Sequence, residues 1–242
     1  MSKITQKNID NLTALWKTVG NSFQQHYPGK AFSYNEIPNS EWPNRIWFNE
    51  DLKEETLATI VELMKSASVP LTLSYWSDFE HSLDPLFEQS GLSKKSEQIG
   101  MSLKLGQQFD QSNRLNLKRV TETNQANIWA ELYPQSFGYK ISAETINRTQ
   151  AEIQYYLVYK DHQATGTVIV HETETLIGIH GLGIVPEFRK QGLAEEVMAY
   201  LLNNAIASNK KTATLQSSAM GKNIYKKMGF TEDFLMTNYQ LK

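Results

Sequence analysis

The sequence contains no cysteine. That removes disulfides, thiolate metal ligands and any acyl-cysteine intermediate. No apolar run approaches the roughly 18 residues of a membrane span, and the segment from Met1 to Lys7 lacks the apolar centre of a signal peptide. The expectation is a cytoplasmic protein with no membrane partner. Excess charge is also missing: 24 Lys and Arg stand against 26 Asp and Glu, a formal net charge of −2. No overall positive field gathers nucleic acid. The five histidines, His26, His81, His162, His171 and His180, form neither H-x-x-x-H nor a close carboxylate pattern, so no metal is expected. Gly221-Lys222 is followed by Asn223 and lacks the upstream glycine of a nucleotide-hydrolase phosphate loop.

What is present centres on residues 176 to 205. Leu176, Ile177, Ile179, Leu182, Ile184 and Val185 lead to Pro186 and predict a buried strand. Leu193, Ala194, Val197, Met198, Leu201, Leu202, Ala205 and Ile206 then follow a 3.6-residue period, which predicts an amphipathic helix. Between them Arg189 to Ala194 spells R-x-x-G-x-A. A helix N-terminus offers unpaired N–H groups and the positive end of the peptide dipoles, which suits a phosphate. Gly192 and Ala194 let the backbone approach closely, and Arg189 and Lys190 add charge. A plain strand-to-helix turn, with glycine chosen for a positive φ, is the alternative. Downstream, Leu215 to Phe230 reads L-Q-S-S-A-M-G-K-N-I-Y-K-K-M-G-F, a strand end and a short helix stopped by Gly229, with Tyr225 one turn before the stop.

R-x-x-G-x-A followed by Y-x-x-x-G-F resembles the GNAT superfamily of CoA-dependent N-acetyltransferases, over roughly residues 115 to 242. The resemblance implies an α/β (α+β) fold with a mixed, mostly antiparallel central sheet flanked by helices. It implies acetyl-CoA as cosubstrate, with the pantetheine arm on backbone groups of Ile184 and Val185. The pyrophosphate would lie in a cradle of Arg189, Lys190, Gln191, Gly192, Leu193 and Ala194. Tyr225 falls on the family's tyrosine and would protonate the departing thiolate; the alternative is simple packing on Phe230. Ser218 occupies the place of a commoner asparagine, with a hydroxyl that can serve the cofactor.

A lysine-like acceptor amine is about one part in 2,500 neutral at pH 7, a deficit of roughly 4.6 kcal/mol that a base, a water chain or desolvation must offset. Several family members carry a glutamate where this chain has Gly178. His180, two positions on, is the candidate base, with a satisfied structural histidine as the equal alternative. Glu172 and Glu174 read as solvated. Trp129, Tyr133, Phe137 and Tyr139 either line an acceptor pocket or belong to the core. The implied activity is acetyl transfer to a primary amine of a small molecule or peptide; a catalytically silent CoA sensor or scaffold is the second reading. A homodimer is compatible with either.

With 242 residues there is room for one large domain or two of about 120. Ile9, Leu12, Leu15, Trp16 and Val19 predict a helix over 8–23, and Pro28 and Gly29 end it. Short strands are expected within 31–48, a helix carrying Leu57, Ile60, Val61 and Met64, a strand at 71–76, and a short helix at 83–89. Leu86 to Leu92 echoes Ile224 to Phe230, with Leu103-Lys104 on Leu241-Lys242 at the same offset, which points to two similar halves. The first, 1–108, lacks R-x-x-G-x-A and has Phe87 in the place of Tyr225. It reads as a degenerate GNAT-like domain that packs on, or walls the substrate side of, the catalytic domain at 115–242. Residues 106–116 read as a linker, 115–120 as a strand, 126–132 as a helix and 133–139 as an aromatic loop. A hairpin turns at Asp161 to Ala164, with further strands at 212–215 and 234–241.

Overall fold

The computed structural model describes residues 2–80 and 82–242; Met1 and His81, both named above, lie outside the described residues. The N-terminal half runs α1 (Lys3–Ser22), β1 (His26–Tyr27), β2 (Phe32–Asn35), β3 (Arg45–Phe48), α2 (Glu54–Ser66), β4 (Thr72–Ser77), α3 (Asp84–Gln89) and β5 (Leu92–Lys104). Residues 105–114 carry neither helix nor strand. The C-terminal half continues with β6 (Leu115–Arg119), α4 (Thr123–Leu132), α5 (Pro134–Phe137), α6 (Ala143–Thr149), β7 (Gln154–Lys160) and β8 (Gln163–Glu172). It ends with β9 (Leu176–Ile184), α7 (Leu193–Ala207), β10 (Thr212–Ser217), α8 (Lys222–Lys227) and β11 (Thr231–Leu241).

Local chemistry explains most boundaries. Helix α1 starts earlier than its apolar spacing predicts because the Ser2 hydroxyl accepts the Thr5 N–H and caps it. The β7–β8 hairpin turns through Asp161 and His162, both at positive φ, as a tight two-residue turn demands. The expected aromatic loop at 133–139 is interrupted by the helical turn α5, and Gly138 closes it in a left-handed conformation. Helix α6 was not predicted; Ser142 caps it, and Ile146 is its one buried aliphatic.

Among the described residues the strands form one eleven-stranded sheet in the order β1-β2-β3-β4-β11-β5-β10-β9-β8-β7-β6. All neighbours are antiparallel except β3–β4 and β9–β10. The centre of the sheet is an exchange. Strand β5, the last of the N-terminal half, pairs with β10 of the other half, while β11 pairs with β4, and β5 and β11 pair with each other. The two halves visible in the sequence therefore share a continuous backbone ladder.

Helices cover both faces. On one, α1, α4 and α6 bury Leu12, Trp16, Trp129 and Ile146 against Trp47, Trp76, Tyr155 and Met236. On the other, α7 lays Val197, Met198 and Leu201 on Val168, Val170 and Ile179, and α2 lays Leu57, Ile60 and Met64 on Ile46 and Leu73. No helix among the described residues is long and apolar enough to cross a membrane.

Helix α1 also presents buried polar groups to the sheet. Asn8 donates to Met101 O (3.0 Å) and accepts from Gln216 Nε2 (2.6 Å). Asn11 donates to His171 O (2.9 Å), and its Oδ1 meets His180 Nε2 at 2.9 Å. Gly178 makes room for this contact, since a Cβ there would collide with the Asn11 amide. His180, 8% exposed, also faces Gln216 Oε1 through Nδ1 at 3.0 Å. Burial, together with neighbouring His171, lowers its pKa to about 3, and burial lowers that of His171 as well.

Two outcomes follow. Below about pH 6.5 the unfolded chain binds protons that the native imidazoles refuse, so stability falls as pH drops toward 3, by about 1.4 kcal/mol per pH unit for each fully shifted histidine. Urea unfolding at a series of pH values reads this slope, and His180→Gln is expected to flatten it by about one proton. Residues 115–242 expressed alone leave β11 without either neighbour, so that fragment is expected to show no cooperative unfolding in calorimetry while the full chain melts in one transition.

Candidate active site

The site begins where β9 leaves β10. The parallel pairing runs from Thr212↔Leu176 to Leu215↔Ile179 and stops, although both strands continue. On its other side β9 carries one extra residue between its pairings Thr167↔Gly183 and Ile169↔His180, with Gly181 at φ 53°. This bulge bends β9 away and opens a wedge toward Pro186, which has no N–H to continue a ladder. Gly183 lets α5 close on the arm, because a Cβ there would meet Ser136 and Phe137.

The main-chain groups of the arm narrow the expectation for Ile184 and Val185. Val185 donates to Thr165 O (2.9 Å) and accepts from Phe188 N (3.0 Å), so both its groups are engaged inside the protein. Ile184 O accepts from Arg189 Nε (3.0 Å). Since Val185 N points to β8, strand alternation turns the Ile184 N–H toward the wedge. Of the two residues, Ile184 alone offers it a backbone donor.

The turn after the wedge is an array of open donors. Lys190 (φ 61°) and Gly192 (φ 77°) are left-handed, and the backbone N–H groups of residues 190–195 meet no acceptor among the described residues. The space above Gly192 is open: a Cβ there would find only Arg114 Nη2, at 3.8 Å. Arg114, in the polar linker, is a residue the sequence reading missed. Buried Glu196 holds its guanidinium at 2.9 Å and accepts the Arg114 and Leu115 N–H groups as well. Lys160 Nζ binds Gln191 Oε1 (2.8 Å). The loop thus gathers Lys160 and Arg114 from other elements beside its own Lys190. Such a set of amides and cations is built to receive phosphate oxygens.

Tyr225 stands on α8, its ring beside Gly221, which also adjoins Ser217 at the end of β10. Its ring meets Phe230 edge-on at 5.9 Å, and its hydroxyl has no hydrogen-bond partner among the described residues. Burial raises its pKa to about 12, which keeps it a proton donor. Ser218 is exposed and its hydroxyl accepts the Gly221 N–H (3.3 Å). His180 lies beneath α1 rather than in the wedge, and the depressed pKa keeps it neutral. The aromatic group divides. Trp129 and Tyr133 are core, whereas Phe137 and Tyr139 keep a partly exposed face.

The N-terminal half repeats the parallel pair, β3 with β4. Phe48, Tyr75, Phe87 and Tyr239 fill that region, the last two stacked at 4.1 Å.

Residues 118–237 match the acetyltransferase (GNAT) domain model. The chain belongs to the GNAT superfamily. Its fold is that of solved GNAT proteins at low sequence identity. A GCN5-related N-acetyltransferase from Kribbella flavida shares 13% identity, with 96% of this chain and 95% of that one covered at a TM-score of 0.70. One from Sphaerobacter thermophilus shares 14%, covering 87% and 76%, with a TM-score of 0.63. A tandem GNAT protein from the clavulanic acid biosynthesis pathway shares 11%, covering 86% and 77%, with a TM-score of 0.55. Among curated proteins no sequence match was found.

If the GNAT loop holds a diphosphate, Gly192→Val, which fills the open space over the amides, is expected to weaken CoA binding at least about tenfold in calorimetry while the melting temperature moves by only a few degrees. Arg114→Ala is expected to weaken it less, with an effect that fades as salt rises.

Proposed function

We propose that this GNAT protein transfers an acetyl group from acetyl-CoA to a primary amine of a small molecule or peptide, by direct attack in the wedge between β9 and β10. The carrying observation is the conjunction of the opened ladder, the unpartnered amides of residues 190–195 and the free hydroxyl of Tyr225. In this reading the loop and Arg114 hold the pyrophosphate. The Ile184 N–H orients the pantetheine arm, and Arg189, drawn back onto Ile184 O, stiffens the turn. The amine nitrogen attacks the thioester carbon, the carbon–sulfur bond breaks, and the nitrogen gives up its surplus proton to water. Tyr225 hands its own proton to the thiolate and recovers one from solvent.

No histidine or carboxylate is assigned as base. With His180 neutral and covered by Asn11, the acceptor enters as the free amine, selected by the desolvating aromatic wall of Phe137 and Tyr139. A second reading, CoA binding without turnover, draws on one observation: the position where several family members carry glutamate is Gly178, and Asn11 occupies the space above it.

A thiol-release assay over an amine panel separates the two, since a sensor binds acetyl-CoA and releases no thiol above background. Tyr225→Phe is expected to lower kcat by about 10- to 100-fold with CoA affinity unchanged. Because the tyrosine stays protonated to about pH 12, the wild-type rate is expected to show no alkaline decline from this group below pH 10.

A further inference from the structure

Past the end of β10, at the junction of the two halves, lie two cations with no counter-ion. Arg45, on β3, rests its guanidinium over the Trp16 ring at 4.9 Å. Nη1 donates to Ser74 Oγ (3.0 Å) and Asn238 Oδ1 (2.7 Å), both neutral. Its Nε and Nη2 make no hydrogen bond among the described residues. Lys95 is brought to the same place by an irregularity in β5. The β5–β11 ladder pairs Ser96 with Asn238 and Lys94 with Tyr239, so Lys95 is the extra residue of a bulge. Bulges re-aim side chains. Here the consequence is that Lys95 Nζ reaches Thr72 Oγ1 (3.3 Å), on the residue paired with Arg45.

The neighbouring lysine shows the contrast. Lys94 is held by Asp84 (2.6 Å) and Glu97 (2.8 Å), whereas among the described residues no carboxylate lies within ion-pair distance of Arg45 or Lys95. The charged or titratable groups that act on Arg45 are Tyr139 and Tyr133; the one that acts on Lys95 is Arg45 itself. Trp76, stacked on Trp16 at 6.4 Å, adds a buried indole N–H without an acceptor. An unmatched cation in a partly desolvated recess is costly unless an anion joins it. The hydroxyls of Thr72 and Ser96, which accept from Lys95 and Asn238, keep their own O–H groups to donate.

Ser217, the last residue of β10, pairs with Ile99; Ser96 lies three residues farther along β5, and Asn238 and Ser74 follow on the next two strands, so at ordinary strand rise and spacing roughly 15 Å separates the cations from the end of β10. Phe137 links the two places, because it packs against Gly183 of the wedge arm and its ring lies beside that of Tyr139 at 6.2 Å.

We propose that the recess of Arg45, Lys95 and Tyr139 binds an oxyanion, carboxylate or phosphate, carried by the acceptor roughly 15 Å from the amine that is acetylated. This rests on the acetyl-transfer reading for the word acceptor, and its binding step can be read without turnover. The acceptor is thus an amphoteric molecule, an amine at one end and an anion at the other. The N-terminal half supplies its recognition.

The test uses the full chain loaded with CoA. Linear ω-amino carboxylates and ω-aminoalkyl phosphates of about five to twelve carbons are titrated by calorimetry beside uncharged alkylamines of equal length, and the same compounds enter the thiol-release assay with acetyl-CoA. At least one anionic series is expected to bind about tenfold more tightly than its uncharged counterpart, with an advantage that shrinks as salt rises. Which series leads identifies carboxylate or phosphate. Arg45→Gln is expected to abolish the advantage and Lys95→Gln, at an exposed position that spares the fold, to reduce it, both with CoA affinity unchanged. Equal binding of charged and uncharged amines by the wild type overturns the proposal, as does an advantage that survives both substitutions. An anion advantage in binding with no thiol release keeps the subsite and overturns the catalytic reading instead.

Discussion

The pairing of β5 with β11 is the interaction on which the rest of the molecule depends. It runs from Leu92↔Leu241 to Ser102↔Thr231, and each of these strands also closes the opposite half. Without it β10 loses the neighbour that steadies it on the side away from the wedge, and β4 loses its partner. The long seat for α1 disappears too, since that helix bonds to Met101 of β5, Leu215 of β10 and His171 of β8. One backbone ladder therefore supports both the opened strand pair and the surface on which the N-terminal helix lies.

Opening a parallel pair inside a sheet leaves backbone groups without partners, and the fold limits that cost to a short stretch. A bulge at Gly181, a proline at 186 and left-handed residues at 190 and 192 confine it to the wedge and its turn. The unmatched amides sit together at the positive end of α7, where water or phosphate satisfies them. The N-terminal half shows the same topology resolved the other way: stacked aromatic rings occupy the corresponding region. Aromatic packing, rather than strand order, separates the open half from the filled one.

The sequence made the C-terminal elements legible because their signals are local. The apolar run before Pro186, the 3.6-residue stripe from Leu193 and the glycine stop after Tyr225 each act within one or two turns of chain. What it hid is non-local. Arg114 reaches the loop only through Glu196, far downstream. Strand β5 is rich in Ser, Lys, Glu and Gln because it lies at the junction between halves, so its pattern lacks the alternation of a half-buried strand. The division at 108 and 115 follows the linker, yet the last strand of each side pairs across it. For His180 both readings were open at the outset, and what favours the structural one is Asn11, a polar residue that the apolar spacing of its helix does not mark. Helix α6 is too short and too sparsely apolar to show a period, and only its serine cap marks it.

The buried asparagines of α1 set the order in which the molecule can be assembled. Asn8 and Asn11 are translated well before the carbonyls they require, which sit on β5, β8 and β10, the last of them 207 residues downstream of Asn8. Until then the helix carries Leu12, Leu15 and Trp16 with no complete surface to cover them. Stepwise maturation of one half before the other is thereby foreclosed for this helix, and the nascent chain must keep it shielded from neighbours until β10 has followed.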